Sequence, residues 1–229
     1  GDGSPYTYFH TIDPVVKKDG EGAALTVEHE FSNDFILTSI TSWRESSVDV
    51  VRDLDSTAAN GLDQDYESHQ DSLSQEIRIA SPSGQSFDYV AGLYYFKNEF
   101  INDEFFDFGP AFGGDEGERL LGTLHEIDST SYAAFVHSNY HVSEVTTVFA
   151  GLRYTDEDQT IDSQASGVPF WVGVFDVDTN RRQLGIDSNN ISWIVGLRHH
   201  INDDAMVYGS VSRGDKAGAF NTSSITPNG

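Results

Sequence analysis

The sequence predicts an all-β, antiparallel transmembrane β-barrel wall of about eight strands, and three observations carry that expectation. Eight segments rich in β-branched and aromatic residues recur along the chain, with no sustained 3.6-residue periodicity, so essentially no helix is expected. Within those segments apolar and polar side chains alternate with period two. The connections alternate between tight turns and very long acidic stretches, which sorts them onto the two ends of a barrel.

Residues 1–21 hold Pro5, Pro14 and Gly20 among a few aromatics and read as loop. Strands at 25–31 and 35–44 flank Ser32-Asn33-Asp34, a three-residue turn between strong β-formers, and make the first hairpin. The second joins 73–80 to 87–97 through Pro82-Ser83-Gly84-Gln85. The third joins 130–140 to 146–155 through Ser143-Glu144. The fourth joins 191–200 to 205–213 through Asn202-Asp203-Asp204. Between the hairpins, residues 46–71, 99–128 and 157–189 read as long loops.

A weak internal repeat marks corresponding strands: Ala91-Gly92-Leu93-Tyr94-Tyr95, Ala150-Gly151-Leu152-Arg153-Tyr154 and Val195-Gly196-Leu197-Arg198-His199. Alternation puts Ala91, Leu93 and Tyr95 on one face with Ala150, Leu152, Tyr154, Val195, Leu197 and His199. Gly92, Gly151, Arg153, Gly196 and Arg198 then share the other face, which would meet a wet lumen while the apolar face meets lipid. Trp43, Tyr95, Phe96, Tyr140, Tyr154 and Tyr208 fall near strand ends, where interfacial girdles sit. The same alternation would suit a soluble β-sandwich or small barrel; the sorted connections favour the membrane.

The chain has 13 Lys+Arg against 37 Asp+Glu, a net charge of -24. That excludes nucleic acid as a partner, because almost nothing is available to neutralise phosphates. Cysteine is absent, so there is no disulfide framework, thiolate metal site or Cys nucleophile. No apolar run approaches a membrane-spanning helix. Gly1-Asp2-Gly3-Ser4-Pro5 has neither the basic start nor the apolar core of a signal peptide. An exported barrel needs one, so a mature product or, preferably, an internal piece of a longer protein is expected.

Little chemistry is legible. His137 and His141 sit four apart; on a strand they lie about 13 Å apart, too far to share a metal. His199 and His200 point to opposite faces. Acidic clusters at Asp53/Asp55, Asp63/Asp65, Asp103/Glu104/Asp107, Asp115/Glu116/Glu118 and Asp156/Glu157/Asp158 read as solvated loop charge, with calcium or a bridge to lipopolysaccharide phosphate as the alternative. No nucleophile elbow, P-loop, dinucleotide fingerprint or zincin motif is present, so no enzyme, cofactor or metal is expected. Phe105, Phe106 and Phe108, with Phe170, Trp171, Arg181 and Arg182, form aromatic-plus-arginine patches on two long loops and are the candidate ligand-capture residues. Loop-on-loop packing explains them equally well.

Ser74-Gln75-Glu76-Ile77-Arg78-Ile79-Ala80-Ser81, followed by Phe87-Asp88-Tyr89-Val90-Ala91-Gly92-Leu93-Tyr94-Tyr95, resembles paired barrel strands of TonB-dependent outer-membrane receptors. Gly151-Leu152-Arg153-Tyr154-Thr155 is similar to another strand of that family, and Tyr208 through Asn221 to a third segment. Asp215 and Ala219 depart from the aromatic and glycine usual there. The ordered likeness spans about residues 25–221.

The resemblance implies residues 1–229 of a 22-stranded barrel in the outer membrane of a Gram-negative bacterium. Short turns would be periplasmic and long loops extracellular, and an N-terminal plug would fill the lumen. It also implies capture of a ferric siderophore, cobalamin, haem or glycan at the outer loops, and import powered by the TonB–ExbB–ExbD complex. No plug or TonB box is recognisable here, and Thr226-Pro227-Asn228-Gly229 lacks a closing aromatic, so a middle section of the barrel is expected. A complete eight-stranded structural or adhesive barrel and a secreted all-β binding module are the alternatives.

Overall fold

Eight strands pair strictly in chain order in the computed structural model, which describes residues 12–113, 115, 119–174 and 176–220. They are β1 (Val15–Glu30), β2 (Ile36–Asp53), β3 (Leu62–Ala80), β4 (Phe87–Phe108), β5 (Arg119–Ser143), β6 (Thr146–Gly167), β7 (Arg182–Asn202) and β8 (Ala205–Arg213). Every pairing is antiparallel. The only helical pieces among the described residues are a 3-10 turn at Pro110–Phe112 and α1 (Pro169–Val174).

The turns fall where the β-breakers predicted. Asp34 takes a positive φ of 64° between β1 and β2, where the Phe31 N–H donates to the Phe35 carbonyl across 2.8 Å. Gly84 supplies φ 79° between β3 and β4, a conformation that glycine adopts without steric cost. All four tight turns lie at one end of the sheet.

The opposite end differs from expectation. Most of residues 46–71, 99–128 and 157–189 continues as strand, and only 54–61, 109–118 and 168–181 lie between strands. β1 likewise begins at Val15, inside a region expected to be loop. Thus the ladders run far past the apolar part of each hairpin: Val48 pairs with Ser68, Asn102 with His125, and Glu157 with Ser188.

The two faces of the sheet are unequal. Thr38, Gln64, Asn102, Thr123, His125, Ser129, Ser131, Ala133 and Ile161 are buried, and the strand registers place all of them on one face. In a single-layer sheet, side chains crowd one another only where the sheet curls toward them, so this is the inner, concave face. Leu25, Leu37, Leu73, Ile77, Leu93, Val136, Leu152, Val195, Leu197 and Val211 are exposed, and all project from the outer face. Soluble proteins rarely expose a contiguous apolar surface of this extent.

Candidate functional site

On the outer face the apolar side chains form a band. Phe87, paired with Tyr140, bounds it on the turn side, and Tyr95, paired with Tyr132, bounds it on the other. Eight residues separate Phe87 from Tyr95, about 26 Å along the strand at roughly 3.3 Å per residue, which matches the apolar belt of a membrane barrel. Trp43 and Tyr154 also face outward, as the girdle expectation requires. Phe96 and Tyr208, grouped with them in that expectation, face inward instead. An open apolar hollow of about 380 Å³ lies between Ile77, Leu93, Tyr95, Tyr132, Ala134 and Tyr154.

Beyond this band the outer face turns acidic. Of the expected acidic clusters, Asp53, Asp63, Asp65, Asp103, Glu104, Asp107 and residues 156–158 lie on strands, Asp55 and Asp115 do not, and Glu116 and Glu118 lie outside the described residues; two rows of carboxylates meet in register on the outer face. Glu21, Glu45, Asp71, Glu99 and Asp128 occupy one row across five adjacent strands. Like charges directly opposite one another are unfavourable. Two donors relieve the row, Trp43 Nε1 to Asp71 at 2.9 Å and Lys97 Nζ to Glu99 at 2.5 Å, and His69 Nε2 stands 3.6 Å from Glu45. Nearer the tip, Asp53, Asp63 and Asp107 form a second row that ends on Arg119. Burial, with Asp53, Asp55 and Asp107 close by, pushes the Asp63 carboxyl above its usual range. Burial, reinforced by Asp65, does the same to Asp107.

The inner face carries the five expected lumen residues together. Register puts Gly92 beside Phe135 and Phe135 beside Arg153, with Gly151, Gly196 and Arg198 on the same side. A Cβ on Gly92 would stand 2.6 Å from Phe135 Cζ and 2.9 Å from the Ile77 carbonyl oxygen, and one on Gly196 would collide with the Phe149 ring. These glycines therefore let a neighbouring aromatic ring lie flat on the wall. The Arg153 guanidinium lies 5.4 Å from the Tyr94 ring centroid and 6.0 Å from that of Phe135, and its Nε donates to Thr155. A hollow of about 340 Å³ is lined by Phe135, His137, Gly151, Arg153 and Ile194. His137 and His141 both face inward; His141 Nε2 lies 2.7 Å from Asp88, with Thr147 on its other nitrogen.

The candidate ligand-capture residues are divided. Phe106 and Phe108 point inward, where Phe108 stacks on Trp171 with centroids 4.5 Å apart and planes 6° from parallel. Leu120, Leu121 and Val177 complete a small cluster that holds Val168 and the Trp171 and Val172 side chains of α1 over the inner edge. Phe170 is exposed, edge-on to Trp171. Phe105 points outward, its ring lying over Gly122 and under the Arg119 guanidinium at 3.7 Å. Arg181 grips Asp162 through Nε at 2.7 and 2.9 Å, and Arg182 pairs with Asp178. Arg181 holds the Asp162 carboxyl below its usual range; the Asn180 N–H, then Arg182, does so for Asp178.

Sequence reasoning missed the inner stripe of β4 beyond the apolar band: Phe96, Asn98, Phe100, Asn102 and Glu104. Its signal was the strict alternation of these residues with Lys97, Glu99, Ile101 and Asp103.

A family model described as TonB dependent receptor-like, beta-barrel matches residues 1–228. The chain belongs to the TonB-dependent receptor β-barrel family. Such receptors are transporters, and the chain is not an enzyme. Among solved TonB-dependent receptors, the ferric yersiniabactin uptake receptor of Yersinia pestis superposes with a TM-score of 0.73 at 15% identity, over 91% of this chain and 31% of that one. A siderophore receptor of Acinetobacter baumannii gives 0.65 at 12% identity, over 85% and 32%. The ferric-catecholate import receptor of E. coli gives 0.60 at 11% identity, over 86% and 35%. At these identities the likeness is one of fold. The chain spans about a third of the length of the TonB-dependent receptors it matches.

Proposed function

We propose that this chain forms part of the barrel wall of an active importer in the outer membrane of a Gram-negative bacterium. The observation that carries the proposal is the two-faced wall of a family member: an apolar belt outside, and inside it a polar face with glycine-seated aromatics. Bilayer lipid occupies the belt, and the acidic rows beyond it lie at the level of lipopolysaccharide. The inner face around Gly92, Gly151, Arg153, Gly196 and Arg198 seats the plug of the whole receptor. A scarce nutrient binds above the plug, near Phe106, Phe108, Trp171 and α1, and the TonB–ExbB–ExbD complex supplies the energy for import.

The test is made on the full-length native protein. We expect a heat-modifiable outer-membrane band much larger than 25.2 kDa. Deleting the gene should abolish accumulation of one nutrient class, and deleting TonB should have the same effect. Recovery of the protein in a soluble fraction, or uptake that survives loss of TonB, overturns the proposal.

A further inference from the structure

The apolar belt of the outer face is not smooth. Leu93, Ala134 and Tyr154 lie in one row across β4, β5 and β6, and Tyr95, Tyr132 and Asp156 lie in the next row, away from the tight turns. Ala134 is the one small side chain among them, and the hollow of about 380 Å³ described above lies over it. The Tyr95 and Tyr132 rings, 5.2 Å apart, stand at its upper end, where Asp156 is the charged group on the lining. The recess therefore begins within the belt and opens at its polar border.

That border carries negative charge with no cation to balance it. Asp158 stands two residues beyond Asp156 on β6, and Asp187 on β7 lies directly opposite Asp158. Lys97, two strands away in the row of Asp158, is held by Glu99, and Arg181 is held by Asp162. Among the described residues no Lys, Arg or His forms an ion pair with Asp156, Asp158 or Asp187, and the Tyr154 hydroxyl donates to Asp156 at 3.4 Å. Like charges opposed across neighbouring strands are unfavourable, and a cation supplied by the surroundings relieves them.

We infer that this hollow is a binding site for a bilayer lipid with an ammonium headgroup, one acyl chain lying on Ala134 between Leu93 and Tyr154 and the ammonium set against Asp156, Asp158 and Asp187. Methylene groups gain by filling an apolar recess, which holds the chain in one place and fixes where its headgroup emerges. The carboxylates then choose the headgroup: an ammonium brings the charge and the N–H donors that they lack, whereas an anionic headgroup adds one more negative charge. The inference rests on the membrane reading proposed above and adds a lipid partner to it.

The purified full-length receptor, in detergent, is titrated with phosphatidylethanolamine, with phosphatidylglycerol of the same acyl chains, and with lipopolysaccharide in the presence and absence of Mg²⁺; bound lipid is counted by native mass spectrometry. We expect phosphatidylethanolamine to be held about three- to tenfold more tightly than phosphatidylglycerol. Asp156→Asn combined with Asp158→Asn should bring the two within about twofold of each other. Ala134→Phe, which fills the recess, should remove one bound phosphatidylethanolamine, whereas Ala150→Phe, at an outward alanine of the belt away from the hollow, should not. Ala134→Leu serves if the phenylalanine variant loses its heat-modifiable mobility. Equal affinity for the two phospholipids, preference for lipopolysaccharide with or without Mg²⁺, or binding indifferent to substitution of Ala134 overturns the inference. A barrel that refolds into vesicles and supports TonB-dependent uptake without this preference leaves the importer standing; a protein recovered as a soluble species removes both.

Discussion

Gly92 and Leu93 are neighbours in the chain and lie on opposite faces of the wall. Gly92 faces inward under the Phe135 ring, where there is no room for one more carbon. Leu93 faces outward and is 64% exposed, with no protein against it. The inner face is specified by shape and hydrogen bonding, as in a protein core. The outer face is specified by its solvent, apolar where lipid is proposed and acidic beyond. One alternating sequence serves both, so a substitution is felt according to the parity of its position.

Three predictions sharpen that contrast, all on the full-length receptor. The largest concerns Leu152→Lys, whose row through Val136 and Ala91 lies midway between Phe87 and Tyr95; it should cost roughly 2–4 kcal/mol in refolding into lipid vesicles if the outer face lies in hydrocarbon. An effect within about 0.5 kcal/mol, the usual size at a water-exposed position, would mean that lipid does not cover this face. Next is Gly92→Val, which must displace Phe135 and crowd the Ile77 carbonyl; denaturant unfolding should show a loss of about 1–3 kcal/mol. Indifference there would mean that the inner wall yields easily and that its aromatics are not held in place.

The smallest effect separates the two acidic tips by pH. Asp63 and Asp107 carry raised pKa values, so the folded tip binds protons more readily than the unfolded chain, and its stability grows as pH falls from neutral toward the ordinary carboxylate value of 3.8. Asp162 and Asp178 carry lowered values; their contribution is present above that value and disappears as pH falls below it. Hydrogen exchange, corrected for intrinsic rate, should therefore slow roughly two- to fivefold around Asp63 and Asp107, at the start of β3 and the end of β4, in mild acid, while the surroundings of Asp162 and Asp178 are unchanged. Asp63→Asn should bring that protection to neutral pH. Equal responses at both tips would mean that the rows of opposed carboxylates are not felt.

The hairpin cores were legible because β-branched and aromatic residues alternate there against a single apolar face, and Asn, Asp and Gly mark the turns. The strand extensions were not. Segments such as Asp63-Gln64-Asp65-Tyr66-Glu67-Ser68 have polar residues on both faces and low intrinsic β-preference, so they resemble loop. Their strand character comes from the ladder, as Asp65 pairs with both Val51 and Phe105. The inward parity of Gly92, Gly151, Arg153, Gly196 and Arg198 was likewise legible, since period two needs no tertiary information. That Arg181 would be neutralised was hidden, because Asp162 lies nineteen residues before it and meets it only across a hairpin, whereas the partner of Arg182, Asp178, lies only four residues before it.

Strict chain-order pairing governs how such a wall can be assembled and enlarged. Among the described strands none has a partner remote in the sequence, so each new hairpin can zip onto an edge already in place, at the small entropic cost of closing a short turn. The same property lets a gene lengthen the wall by copying one hairpin without disturbing the others. Ala91-Gly92-Leu93 and Ala150-Gly151-Leu152 each lie on the strand that leaves a tight turn, as such copying would leave them, whereas Val195-Gly196-Leu197 lies on β7, which enters its turn, so the three triplets do not mark corresponding strands.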